Sequence, residues 1–170
     1  MRITTTSHYQ HIDAGTRWTM TIYDHPYSTL VGRVLLGAIF LLSGINKIAD
    51  PAGTQGYMAA MGMTWATMLF YLGAVIIEVG GGLSLWLGYW TRIGAAALIG
   101  FMIPTTLIFH TNFGDPNQMI HFMKNLAMTG GLLYLATYGP GPLSLDRRLF
   151  GQAGIEADQN SLRVRRRASA

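Results

Sequence analysis

Residues 67–89 read TMLFYLGAVIIEVGGGLSLWLGY. The length and apolarity of this stretch decide the fold. A hydrocarbon core of about 30 Å takes roughly 20 consecutive apolar residues as a helix, and this segment supplies them. It shows none of the alternating polarity that a membrane barrel strand requires. A helix satisfies every backbone group internally, so a spanning helix is the reading. Its one charge is Glu78, with Gly80, Gly81 and Gly82 close behind it. A carboxylate inside a bilayer is costly and tends to face the protein interior and find a partner there.

Working outward, three more segments have the same character: residues 29–48, 92–111 and 119–138. The sequence therefore predicts an all-α polytopic membrane protein, a bundle of four transmembrane helices over residues 28–146. A polar extension, 1–27, precedes it and a basic tail, 147–170, follows it. Part of the long connection 49–66 is expected to lie along the interface as a short helix. Composition agrees. Only 12% of the 170 residues are charged while 50% are hydrophobic, about half the charge share of a soluble domain. No apolar run near the start resembles a signal peptide.

The absence of cysteine excludes disulfides, thiolate metal sites and dithiol redox chemistry. The net charge of +4 does not point to nucleic acid, because the basic residues do not interleave with aromatics along one face. They point instead to topology. Arg2, Arg17, Arg33, Arg92, Arg147, Arg148, Arg163, Arg165, Arg166 and Arg167 fall on the side of the two termini, and only Lys47 and Lys124 on the other. By the positive-inside rule both termini are expected in the cytoplasm of a bacterial inner-membrane protein. The tail is expected to fix topology and is also suited to touch anionic lipid.

Helical spacing groups the polar residues into stripes. Arg33, Gly37, Phe40, Gly44 and Lys47 share a face of the first span, and Ala74, Glu78, Gly81, Leu85 and Gly88 a face of the second. Ala96, Gly100, Ile103, Thr106 and His110 are the expected stripe of the third. His121, Lys124, Asn125, Met128 and Leu132 form that of the fourth. Small residues in such stripes let helix backbones approach. By depth, Lys47, His110, His121 and Lys124 all belong to one half of the bundle, with Glu78 below them. The expected ion pair is Glu78 with Lys124, with Arg33 as the second choice of partner and His110 or Asn125 adding a hydrogen bond. Lys47 and Arg33, near helix ends, read as snorkelling anchors. Two histidines without ligand spacing do not make a metal site.

Three stretches carry a resemblance. GRVLLGAIFLLSGINKIADP (32–51), IEVGGGLSLWLGYWTRIGA (77–95) and HFMKNLAMTGGLLYLATYGPGPLSLD (121–146) together resemble the DoxX family in order and spacing. The resemblance implies a four-helix inner-membrane protein similar to the DoxD subunit of a thiosulfate:quinone oxidoreductase. It also implies that Arg33, Lys47, Glu78, His110, Lys124 and Asn125 match the family's polar positions. No catalytic assignment comes with it.

Two functions follow as expectations. In the first, the chain is an accessory or quinone-interacting subunit of a membrane redox system. Glu78, His110, His121, Lys124, Asn125 and Lys47 then form the ligand pocket, with Glu78 handling a proton. No intrinsic cofactor is evident, so electrons would come from a partner protein. In the second, the chain is a non-catalytic scaffold whose buried ion pair sets helix register. A carrier is disfavoured, since four spans without an internal repeat offer few ways to gate, although a homo-oligomer has more.

Overall fold

The computed structural model describes residues 26–151. The expected extension and tail therefore lie almost wholly outside the described residues. The chain folds as α1 (Pro26–Ala49), α2 (Pro51–Ala60), α3 (Thr67–Leu87), α4 (Thr91–Phe109) and α5 (Pro116–Tyr138), followed by a helical segment at 145–151. The short helix expected in the long connection is α2.

Local chemistry sets the ends. Asp50 caps α2 by accepting the Gly53 amide at 2.9 Å, and Pro51 occupies the first turn, where no amide is needed. Asp115 and Pro116 repeat this arrangement at α5. Gly88 stops α3 with φ of 66°, a left-handed conformation that favours glycine.

Among the described residues three helices, α1, α3 and α4, are long and apolar enough to cross a membrane. At 23 residues α5 has the length. Its first half carries Asn117, Gln118, His121, Lys124 and Asn125, which lower its apolarity below that of the other three. The outward faces fit a lipid setting: Leu35, Leu69, Ile76 and Leu107 are all more than half exposed. Apolar surface on this scale marks a membrane or protein contact rather than water.

Successive long helices run antiparallel. α1 and α3 approach most closely, through their glycines. A Cβ at Gly37 would lie 2.7 Å from the Trp86 ring, and one at Gly82 would lie 2.8 Å from Leu41 Cγ. At the far end Gly44 faces Val79 and Glu78. Between α3 and α4, Leu98 fills the notch at Gly81, and Gly94 packs on Ser84. Between α4 and α5, Asn125 meets Thr106 and His110 meets His121. Phe40, Leu85, Leu98, Met102, Met128 and Leu132 form the central core.

The expected stripes of α1 and α3 are the buried faces: Arg33, Gly37, Phe40, Gly44, Ala74, Glu78, Gly81, Leu85 and Gly88 are all buried. The stripe of α5 is buried only in part: Asn125, Met128 and Leu132 are buried, while His121 and Lys124 are exposed. The stripe of α4 needs correction. Ala96, Gly100 and Ile103 are exposed, while Thr91, Gly94, Ala95, Leu98 and Met102 are buried. Small size drew the expectation toward Ala96 and Gly100. What positions α4 is the fit of Leu98 into Gly81 and of Gly94 onto Ser84.

The closing segment locks the other end of the bundle. The Asp146 carboxylate accepts the amides of Trp90 at 2.7 Å and Thr91 at 3.0 Å, capping α4 from a distant part of the chain. Its own amide donates to Gly88 O at 2.8 Å. Arg33 Nη2 donates to Leu143 O at 2.8 Å. Arg33 is 1% exposed. It is therefore a buried bridge between α1 and the closing segment, and the expectation that it snorkels is corrected.

Candidate functional site

The site begins with Glu78, which the spacing of α3 places on its buried face. The residue is 4% exposed. Lys47 on α1 reaches it, with Nζ 2.8 Å from Oε2 and 3.0 Å from Oε1. Ser43, one turn before Lys47, donates to Oε1 at 3.1 Å and accepts from Lys47 Nζ at 2.9 Å. The carboxylate, the ammonium and the hydroxyl thus form a closed triad across the α1–α3 contact. Tyr71 adds a hydrogen bond from its hydroxyl to Lys47 O at 3.2 Å.

This corrects the expected pairing and the expectation that Lys47 snorkels: Glu78 bonds Lys47, and neither Lys124 nor Arg33 is its partner. Arg33 is two turns and more from Ser43 along α1, at the end closed by Leu143 and Asp146. Depth alone could not separate Lys47 from Lys124, because both sit in the same half. The deciding fact is that α1 and α3 pack glycine against glycine, which leaves Lys47 the shorter reach.

The remaining candidates come from α4 and α5. Asn125 Nδ2 donates to Thr106 Oγ1 at 3.0 Å. The rings of His110 and His121 stack with centroids 5.1 Å apart, and His110 Nδ1 lies 2.8 Å from Gln118 Oε1. Among the described residues no group of three or more His, Asp or Glu side chains gathers there to hold a metal. Lys124 makes no ion pair among the described residues.

All six candidate residues, Lys47, Glu78, His110, His121, Lys124 and Asn125, line one partly open cavity of about 780 Å³. That is the size of a site for a drug-sized molecule or cofactor, roughly 300–1,000 Å³. Its remaining walls are chiefly apolar and aromatic, including Phe40, Phe70, Phe101, Met102 and Met128. The cavity is therefore mixed in character, with polar groups contributed by four helices among chiefly apolar walls. Such a chamber can hold the polar head of a lipophilic molecule and donate hydrogen bonds to it.

Sequence reasoning missed Ser43, Gln118 and the roof. Ser43 was legible in principle, since it lies four residues before Lys47 on the same helical face. The roof is α2. Met58 packs with Tyr71 and Ala74, and the Tyr57 ring stacks on Phe109 at 5.4 Å. No spacing rule carries a signal for that contact.

The family model described as DoxX matches residues 28–111. The chain is similar to the inner membrane protein YqjF of Escherichia coli, 45% identical over 120 residues covering 71% of this chain and 90% of the relative. It is also similar to the inner membrane protein YphA of the same organism, 38% identical over 129 residues covering 72% and 91%. The uncharacterized membrane protein Rv3486 of Mycobacterium tuberculosis is 32% identical over 152 residues, covering 82% and 93%. No solved structure matches.

Proposed function

The chain belongs to the DoxX family of inner-membrane proteins, and from that premise we propose that it is a quinone-interacting subunit of a membrane redox system. One observation carries this reading. The cavity of about 780 Å³ is lined both by hydrogen-bonding groups, among them Lys47, Glu78, Lys124 and Asn125, and by aromatic and methionine side chains. A quinone has the same mixed character, with polar carbonyls on a flat ring and an apolar tail.

In this reading α5 is a fourth span. Its polar first half turns toward the cavity, and both termini are cytoplasmic. The cavity then belongs to the outer half of the bilayer. Lys124 donates to the ring carbonyls, and Asn125, held by Thr106, is fixed beside them. Reduction of a quinone to a quinol takes two electrons and two protons. The electrons come from a partner redox protein, since the chain has no cysteine and no evident carrier site of its own. Glu78, bonded to Lys47 and Ser43, is the group placed to pass protons toward the ring.

The test is binding. The full chain in lipid nanodiscs is titrated with ubiquinone and menaquinone analogues. Saturable binding that Lys124→Met weakens about tenfold supports the reading, while absence of binding removes it.

One observation favours a second reading, a scaffold without a ligand. The Lys47–Glu78–Ser43 triad is complete in itself and already serves as a fastener between α1 and α3. If Glu78→Gln destroys the fold while no quinone binds the native chain, that reading replaces the first.

A further inference from the structure

The cavity is closed unevenly, and the unevenness points to how a ligand reaches it. At the Lys47 end α2 folds over it. Met58 of α2 packs on Tyr71 and Ala74 of α3, and Tyr57 stacks on Phe109 of α4. The Asp50 cap fixes the start of this roof directly after α1. At the Arg33 end, Phe40, Leu85, Leu98 and Leu132 fill the core, each no more than 2% exposed. Over their whole lengths α1 with α3, α3 with α4 and α4 with α5 make the larger contacts, whereas α1 and α5 scarcely touch.

Their close approach is at Leu36 and Gly131, where an added Cβ would lie 3.3 Å from Leu36 Cδ2. Since α1 and α5 run antiparallel, this register puts Ile39 level with Met128 and Ser43 level with Lys124. All four of these residues line the cavity. The two helices thus part just beyond Leu36, and the cavity occupies the gap between them.

We infer that the ligand reaches the site sideways from the bilayer, through the seam between α1 and α5. Its tail then stays in that seam while its head lies against Lys124, Asn125 and the histidine pair. This rests on the quinone reading above and narrows it to long-tailed, bilayer-dissolved quinones. A water-borne ring compound would have to pass the roof instead. Leu36, Ile39 and Met128 along the seam suit a hydrocarbon tail.

The absence of native cysteine makes a clean test possible. The variant Ile39→Cys with Met128→Cys, in the full chain in nanodiscs, is bridged across the seam with a short bismaleimide. Binding of a long-tailed quinone and of a tail-less quinone ring is measured before and after bridging. The expected result is that bridging weakens the long-tailed quinone by about tenfold or more and changes the ring by less than about twofold. The ring also serves as the check that the cavity is intact. Unchanged binding of the long-tailed quinone overturns the inference alone, and so does equal loss of both ligands, because the tail then plays no part. If neither quinone binds the unbridged chain, the quinone reading falls and takes the inference with it. A second measurement needs no variant: a quinone with a photoreactive group in its tail should label α1 and α5. Labelling confined to α2 overturns the lateral route.

Discussion

Lys47 of α1 and Glu78 of α3 form an ion pair, with Nζ 2.8 Å from Oε2, at a point where the two helices pack through small residues. The pair looks into a cavity on one side and into the α1–α3 contact on the other. It therefore has two separable consequences, one for folding and one for binding.

For folding, Lys47→Met leaves a carboxylate that is 4% exposed without its cation, which is expected to cost about 3–5 kcal/mol. Glu78→Gln alone should cost less, because Ser43 still donates to the amide oxygen. The double variant Lys47→Met/Glu78→Leu should regain most of the loss. Thermal unfolding in detergent checks this, and a melting temperature unmoved by Lys47→Met would show that the pair does not hold the helices.

The glycines differ in what they do. Gly82→Ala puts a methyl 2.8 Å from Leu41 Cγ and should destabilise by about 1–3 kcal/mol through overpacking of α1 against α3. Gly130→Ala meets nothing within 4 Å and should be neutral or stabilising by up to about 1 kcal/mol, from helix propensity. The two variants compared by the same unfolding measurement separate close packing from composition.

Asp146 caps α4 through two amides. Asp146→Ala is expected to cost about 1–2 kcal/mol. Asp146→Asn should cost less, since one amide oxygen can still accept. Melting curves of the two variants against the native chain test this, and equal effects would contradict the capping role.

The course of the chain was largely legible before any coordinates, and the reasons are physical. Apolar length marks α1, α3 and α4 without reference to partners, and the 3.6-residue period identifies the buried faces of α1 and α3 because glycine and charge coincide on them. The face of α4 was misread because Ala96 and Gly100 are as small as Gly94, and only the position of Leu98 against Gly81 distinguishes them. The set of residues around the cavity followed from depth. The partner of Glu78 did not, because depth is shared by Lys47 and Lys124 and lateral distance is not written in the sequence. The roof made by Tyr57 and Phe109 depends on how a loop folds back, which no periodicity encodes.

The crossing of α5 has its own test. A reporter active only in the cytoplasm, fused after Arg148, should be active, and one inserted after Gly114 should be inactive. If both fusions report the same side, α5 does not cross and the four-span topology fails.

The central claim is that the chamber between the helices is a ligand site, and one measurement addresses it most directly. Gly73 lines the chamber, and nothing lies within 4 Å of a Cβ added there, so Gly73→Phe should fill the space without disturbing the packing. Quinone binding to the full chain in nanodiscs is then compared between the native chain and this variant, alongside their melting temperatures. The expected result is saturable binding to the native chain and a loss of about tenfold or more in Gly73→Phe at unchanged stability. Equal binding by both, or none by the native chain, would contradict the claim.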